Sequence, residues 1–96
     1  MSTPTEFDWD EDKAARVYAE TRIRFEVAIG VFLDRNRLDF KDTRHDYGEE
    51  RRIAIGSVDG ILLTVVYVMR GATCRIITAW RSSRSERKRY HDAGKA

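Results

Sequence analysis

An Asp-Gly pair at positions 59 and 60 stands between two runs of apolar, β-prone residues, and it constrains the fold more than any other feature of the chain. The favoured two-residue hairpin turn needs positive φ at both central positions, which Asp tolerates and Gly adopts freely. Before the turn, Ile53 and Ile55 alternate with Arg52 and Ala54. After it, Ile61 to Met69 is rich in β-branched residues and nearly all apolar, as a strand covered on both faces is. That run belongs in the middle of a sheet. Gly71 supplies the next turn, and Thr73 to Trp80 form a further strand. On that strand a period of two sets Arg75, Ile77, Ala79 and Arg81 on one face and Cys74, Ile76, Thr78 and Trp80 on the other, so Arg75 and Arg81 are expected to share a surface.

Helical spacing lies on both sides of this block. Asp8 or Asp10 can cap a first helix, with Glu11 and Asp12 where negative charge meets the helix dipole. Ala14, Val17, Tyr18 and Thr21 give that helix one narrow face to bury. Phe25, Ala28, Ile29, Phe32 and Leu33 repeat the spacing more strongly, predicting a second helix that ends around Asp34 and absorbs Gly30 at a cost of about 1 kcal/mol. Leu38 and Phe40 alternate as a short edge strand does, and a polar loop follows from Lys41 to Glu50. Ser83 and Glu86 have the spacing of a capping box, so a basic helix is predicted from Arg84 to about Asp92, stopped by Gly94. The order is helix, helix, four strands, helix. It predicts a small α+β domain with a mainly antiparallel four-stranded sheet, two N-terminal helices on one face and a basic C-terminal helix.

A chain of 96 residues has room for one core, so residues 1–96 are read as one domain, with 1–6 and 93–96 as frayed termini. No apolar run is long enough to span a bilayer, and the acidic start EFDWDED is unlike a secretory signal; the cytoplasm is the expected compartment. Cys74 is the single cysteine and reads as a small buried side chain. His45 and His91 are the two histidines, and neither has a spacing to other ligands that suggests zinc, so neither a metal nor another cofactor is expected. Charge is polarised: residues 1–13 carry five acids and one lysine, and residues 81–96 six bases and two acids. Fourteen of the eighteen bases are arginine, whose planar fork suits phosphate or carboxylate, so a phosphate-bearing or acidic partner is favoured over a solvated surface only at even weight.

Three kinds of function fit these residues. Cleavage of RNA needs no metal, because the 2′-hydroxyl is a built-in nucleophile; the enzyme aligns it, takes its proton, stabilises the charged phosphorane and protonates the leaving oxygen. Arg75, Arg81 and Arg84 are candidates to clamp the phosphate, and His45, Glu49 or Glu50 to move protons. Arg51, Trp80, Arg87 and Tyr90 are candidates to contact RNA, Tyr90 by stacking or by a hydrogen bond. Each also has an ordinary reading: a loop hydrogen bond for His45, ion pairs for Glu49 and Glu50, packing for Trp80, a solvated face for the basic helix. The second kind is a binding module, with opposed acidic and basic ends steering a charged partner. The third, DNA reading, lacks any helix-turn-helix or zinc spacing.

The segments WDEDKAA (9–15), FEVAIGVFLD (25–34), DTRHDYGEERRIAIG (42–56) and RIITAWRSSRSERKRY (75–90) together resemble the BrnT toxins of bacterial toxin–antitoxin pairs over roughly residues 7 to 91. The matched pattern includes Trp9-Asp10, Lys13, Phe25-Glu26, Phe32, Asp42, His45, Glu49, Arg51, Ile55-Gly56, Arg75-Ile76-Ile77, Glu86-Arg87 and Tyr90. The resemblance implies a RelE-like fold and metal-independent cleavage of cellular RNA, with growth arrest as the effect. It also implies a BrnA-like ribbon-helix-helix antitoxin as partner, operator DNA engaged only through that antitoxin, no membrane, and a dimer of toxin–antitoxin heterodimers as one possible assembly. Two places depart from the pattern. Relatives commonly carry Lys-His-Gly after the first helix, where this chain has Glu20-Thr21-Arg22, and many carry an arginine where it has Trp80, followed by Arg81. Arg22, Arg24 and Arg81 are near enough in sequence to restore positive charge, but none replaces a histidine as a proton carrier. The alternative reading is therefore a catalytically weakened relative that acts mainly by binding the antitoxin and supporting autorepression.

Overall fold

The computed structural model describes residues 3–94. Its elements are β1 (Glu6–Asp8), α1 (Glu11–Thr21), α2 (Phe25–Ala28) running on into a 3-10 segment (Ile29–Leu33), β2 (Leu38–Lys41), β3 (Arg52–Val58), β4 (Ile61–Arg70), β5 (Thr73–Arg81) and α3 (Arg84–Ala93). The sheet runs β1-β5-β4-β3-β2, with β1 parallel to β5 and every other pair antiparallel. β4 is central, as its continuous apolar run predicts. Asp59 and Gly60 have φ of 50° and 83°, the twin positive values of the hairpin turn.

The α+β class stands, and the sheet has five strands rather than four. Glu6, the last residue of the segment expected to fray, begins a strand that runs to Asp8. It is held at both ends by polar contacts: Thr73 Oγ1 to Glu6 Oε2 at 3.2 Å and Arg75 to Asp8 at 3.4 Å. Between them Phe7 packs on Phe32, ring centroids 5.5 Å apart. Of the expected frayed ends, positions 1–2 and 95–96 lie outside the described residues, positions 3–5 are in neither helix nor strand, and Ala93 belongs to α3.

Asp10 caps α1 by accepting from the amides of Asp12 and Lys13, and Arg22 closes it in the left-handed region. Ser83 and Glu86 form the expected capping box on α3. The second helix departs from expectation. It is one α-turn that tightens at Ile29, where Gly30 passes so close to β3 that a Cβ would lie 3.1 Å from both methyls of Val58. A 3-10 helix rotates about 120° per residue where an α-helix rotates about 100°. Leu33 consequently rotates off the buried face and is 74% exposed.

Val17, Phe25, Ala28, Val31 and Phe32 pack on Ala54, Leu63, Val65, Tyr67, Cys74, Ile76 and Ala79, which puts the main core between the N-terminal helices and one sheet face. Gly56 permits the closest approach, since a Cβ there would meet the Val31 carbonyl oxygen at 2.9 Å. On the other face Ile53, Ile55 and Val66 carry Leu38, Phe40, Ile77, Trp80 and Tyr90. Cys74 is buried, and burial pushes its thiol up to about 12, which makes it an inert packing residue.

Candidate functional site

The last strand decides which arginines meet. Val66 faces Thr78 while Tyr67 faces Ile76, so Ile77 is an extra residue and β5 is bulged there. Arg75 consequently pairs with Val68 and Arg81 with Leu63. Val68 and Leu63 are five apart on an unbroken strand, hence on opposite faces, and cross-strand partners share a face. The expected common surface for Arg75 and Arg81 is therefore overturned by the bulge. Along the strand they are also separated by roughly 20 Å, too far for one phosphate.

Arg81 has different neighbours. With Ser57, Gly60, Ile61, Leu62, Arg87, Tyr90 and His91 it lines a cleft of 310 Å³ at the hairpin end of the sheet, below α3. Among the described residues, no carboxylate lines this cleft. Arg87 is fixed by its Nη1, which donates to the Ser82 carbonyl at 2.8 Å. Tyr90 donates its hydroxyl to Asp34 Oδ2 at 2.6 Å, and that oxygen also accepts the Ser57 amide at 2.7 Å. Burial and the Asp34 hydrogen bond push the Tyr90 phenol up to about 12, so the hydroxyl stays protonated and committed, while the half-buried ring packs on the Ile53, Ile55 and Val66 cluster, meets His91 edge-on at 5.4 Å and lines the cleft with its remaining surface. At Asp34 burial works against ionisation, but the Tyr90, Ser57 and Asn36 hydrogen bonds outweigh it and hold the carboxyl below its usual range. The cleft thus combines two guanidinium groups, an aromatic ring and an imidazole, the groups that phosphate binding and proton transfer require.

Arg81 also lines a neighbouring groove of 300 Å³ on the helix side, with Thr21, Arg22, Ile23, Val27, Val58, Asp59, Ile61 and Leu63. Thr21 and Arg22 therefore border the same groove as Arg81. The Thr21 hydroxyl is spent within the fold, donating to the Val17 carbonyl at 2.8 Å and accepting from the Ile23 amide at 3.1 Å.

Trp80 lies on the other flank of α3. Its indole donates to Glu86 Oε1 at 3.0 Å, and it shares a 550 Å³ cleft with Phe40, Lys41, Arg44, Ser85 and Arg89. Trp80 packs on the Ile53, Ile55 and Val66 cluster, with the Arg44 guanidinium 5.7 Å from its ring centroid. Burial raises the cost of the Glu86 charge, yet hydrogen bonds from the Ser83 amide and Trp80 keep its carboxyl below the ordinary range. Arg84 is exposed on the first turn of α3.

His45, Glu49 and Arg51 sit together at the opposite end of the sheet from Arg81. The Arg51 guanidinium lies 3.9 Å from the Tyr47 ring centroid, and His45 meets the same ring edge-on at 5.7 Å. Extending the β3–β4 register by one position sets Arg51 opposite Val68, in the same row as Arg75. Glu49 pairs with Arg70 at 3.6 Å, Glu50 with Arg52 at 3.4 Å, and Arg75 with Asp8. The ion-pair reading of the two glutamates is what the geometry contains, and it leaves this end with partly neutralised charge.

Asp42 anchors that loop. Its side chain is wholly buried and accepts two bonds from the Arg44 guanidinium, at 2.8 and 2.7 Å. Those bonds bring its carboxyl down to about 2. A carboxyl whose folded pKa is depressed contributes stability above its unfolded value near 3.8 and loses it as pH falls toward 2. We expect Asp42→Asn to remove at most about 2 kcal/mol at neutral pH and to flatten the acid limb of a thermal-melting profile between pH 4 and 2.

Sequence reasoning missed His91, Tyr47 and Arg44. His91 carries no local pattern that marks it, because its cleft neighbours come from β4, β5 and the hairpin. Among the described residues, no three His, Cys, Asp or Glu side chains gather to hold a metal ion, and no helix is long and apolar enough to cross a membrane.

Compared with curated proteins, the chain has no significant match. The model of one family, described as ribonuclease toxin, BrnT, of type II toxin-antitoxin system, matches residues 9–86. That span runs from Trp9, against the core, through the bulged strand and Arg81 into the first turn of α3. The chain belongs to the BrnT family of type II toxin–antitoxin ribonuclease toxins.

Proposed function

We propose that this protein is a RelE-like, metal-independent endoribonuclease toxin that cuts cellular RNA in the cleft of Arg81, Arg87, Tyr90 and His91. One observation carries the reading: this cleft joins two arginines to a histidine, and among the described residues no carboxylate lines it. Arg81 and Arg87 bind the scissile phosphate and stabilise the charge of the phosphorane. The Tyr90 ring stacks on a neighbouring base. His91 exchanges the protons: one leaves the 2′-hydroxyl as its oxygen attacks phosphorus, and one reaches the departing 5′-oxygen. The products are a 2′,3′-cyclic phosphate and a free 5′-hydroxyl. Under this reading His45, Glu49, Arg51 and Arg75 organise the far end of the sheet. The partner is a BrnA-like ribbon-helix-helix antitoxin, which brings the toxin to operator DNA, and two such heterodimers assemble through the antitoxin.

The test is cleavage of a defined RNA by purified protein in excess EDTA, beside the same strand with 2′-deoxy sugars. The reading predicts undiminished cutting of RNA, cyclic phosphate ends and no cutting of the deoxy strand. Loss of activity in EDTA, or cleavage of the deoxy strand, contradicts it.

One feature favours a second reading. Thr21, whose hydroxyl is bonded within its own helix terminus, offers no proton carrier where relatives commonly have histidine. A chain that relies on this position for proton transfer is catalytically weak and acts chiefly by binding its antitoxin. Tight antitoxin binding with no RNA cleavage by the parent protein selects it.

A further inference from the structure

Two of the large exposed apolar side chains stand on one groove. Val27, from α2, is 46% exposed and Ile61, from the start of β4, is 43% exposed. Both line the 300 Å³ groove on the helix side, with Ile23, Val58 and Leu63. Apolar side chains held open at a concave surface favour burial by a partner. The rim carries charge of one dominant sign. Arg22 and Arg81 line the groove, and Arg24 stands beside Arg22 through Tyr18, their guanidinium carbons 4.2 and 5.5 Å from its ring centroid respectively. None of the three has an ion-pair partner among the described residues. Asp59 is the single carboxylate in the lining.

We propose that this groove is the docking site for one segment of the protein antitoxin, which buries an apolar side chain between Val27 and Ile61 and sets a carboxylate against Arg81 and Arg22. The occupant follows from the surface. A type II system supplies a protein partner, the groove asks for an apolar anchor, and the unpaired arginines ask for acid beside it. Inhibition is then direct, because Arg81 also lines the adjacent cleft beneath α3. A carboxylate on Arg81 takes the place of the RNA phosphate, so toxin bound to antitoxin cannot hold substrate. That last step rests on the ribonuclease reading above; the docking itself does not.

The probe is the protein encoded by the reading frame beside this chain's own, co-purified and then titrated against the full-length chain by calorimetry. Val27→Glu and Ile61→Glu, on different elements, are each expected to raise Kd at least tenfold while melting within a few degrees of the parent. Leu33→Glu, at an exposed apolar residue outside the groove's lining, is expected to leave Kd unchanged. If one groove variant does not fold, the other decides. Unaltered Kd in a folded groove variant overturns the docking site, as does equal loss in Leu33→Glu or failure of the parent to bind. RNA cleavage by the parent alone is followed in parallel. No cleavage together with groove-dependent binding removes the nuclease reading and leaves the docking site standing.

Discussion

Replacing Arg81 by alanine is expected to lower the rate of RNA cleavage by about 10²–10³-fold, the usual loss when one preorganised donor to a developing oxyanion is removed. Arg87→Ala should act in the same range, and the pair together should lose less than the product of the two if both grip one phosphate. Arg81 ends β5 where β1, which pairs only with residues 73 to 75, no longer covers it. Arg87 is braced by the Ser82 carbonyl. Neither guanidinium is needed for the core, so melting temperature should hardly move. Arg75→Ala is the control: it pairs with Asp8 at the other end of the strand, and its rate should stay within about threefold of the parent. Single-turnover kinetics on a fluorescent RNA reads the parent and all four variants. An Arg75→Ala loss as large as that of Arg81→Ala contradicts the assignment.

The largest expected effect on stability belongs to Asp39. Its carboxylate, 3% exposed, receives Arg52 Nε at 2.7 Å and the hydroxyl of Tyr67. This joins the edge strand β2 to the core, where Tyr67 also meets Phe32 edge-on at 5.0 Å. Burial, then the Asp39 bond, raise the Tyr67 phenol well above its ordinary range, while the same carboxylate raises the Arg52 guanidinium. Asp39→Ala strands the Tyr67 phenol and leaves Arg52 only its longer pair with Glu50 at 3.4 Å, and is expected to cost about 3 kcal/mol. Asp39→Asn keeps an acceptor and should cost less. Urea denaturation measures both, and a loss below about 1 kcal/mol for the alanine variant contradicts the account.

These residues also mark where the sequence was readable. The hairpin turn, the central β4 and the capping box of α3 are local signals, carried by Asp59-Gly60, by a run of β-branched residues and by Ser83-Glu86, and all three appear in the fold. β1 was not readable, because only Phe7 among its three residues is apolar and its pairing with β5 joins residues 67 apart. The bulge at Ile77 was invisible for a related reason. A period-two reading assumes one residue per step, and the extra residue depends on how β4 packs against β5. That one residue moved Arg81 away from Arg75. The same limit hid His91, since Ser57, Leu62 and Arg81 reach its cleft from strands distant in sequence. Tyr90 is a candidate RNA contact from the sequence alone, but its hydrogen bond to Asp34, 56 positions away, has no local signal.

The account turns on toxicity arising from one cleft. Expression in bacteria of the parent and of the Arg81→Ala/Arg87→Ala double variant, with growth and total RNA integrity followed together, tests it most directly. The account predicts growth arrest with RNA breakdown for the parent and neither for the double variant at equal protein level. Normal growth of cells making the parent, or arrest with RNA breakdown from the double variant, contradicts it.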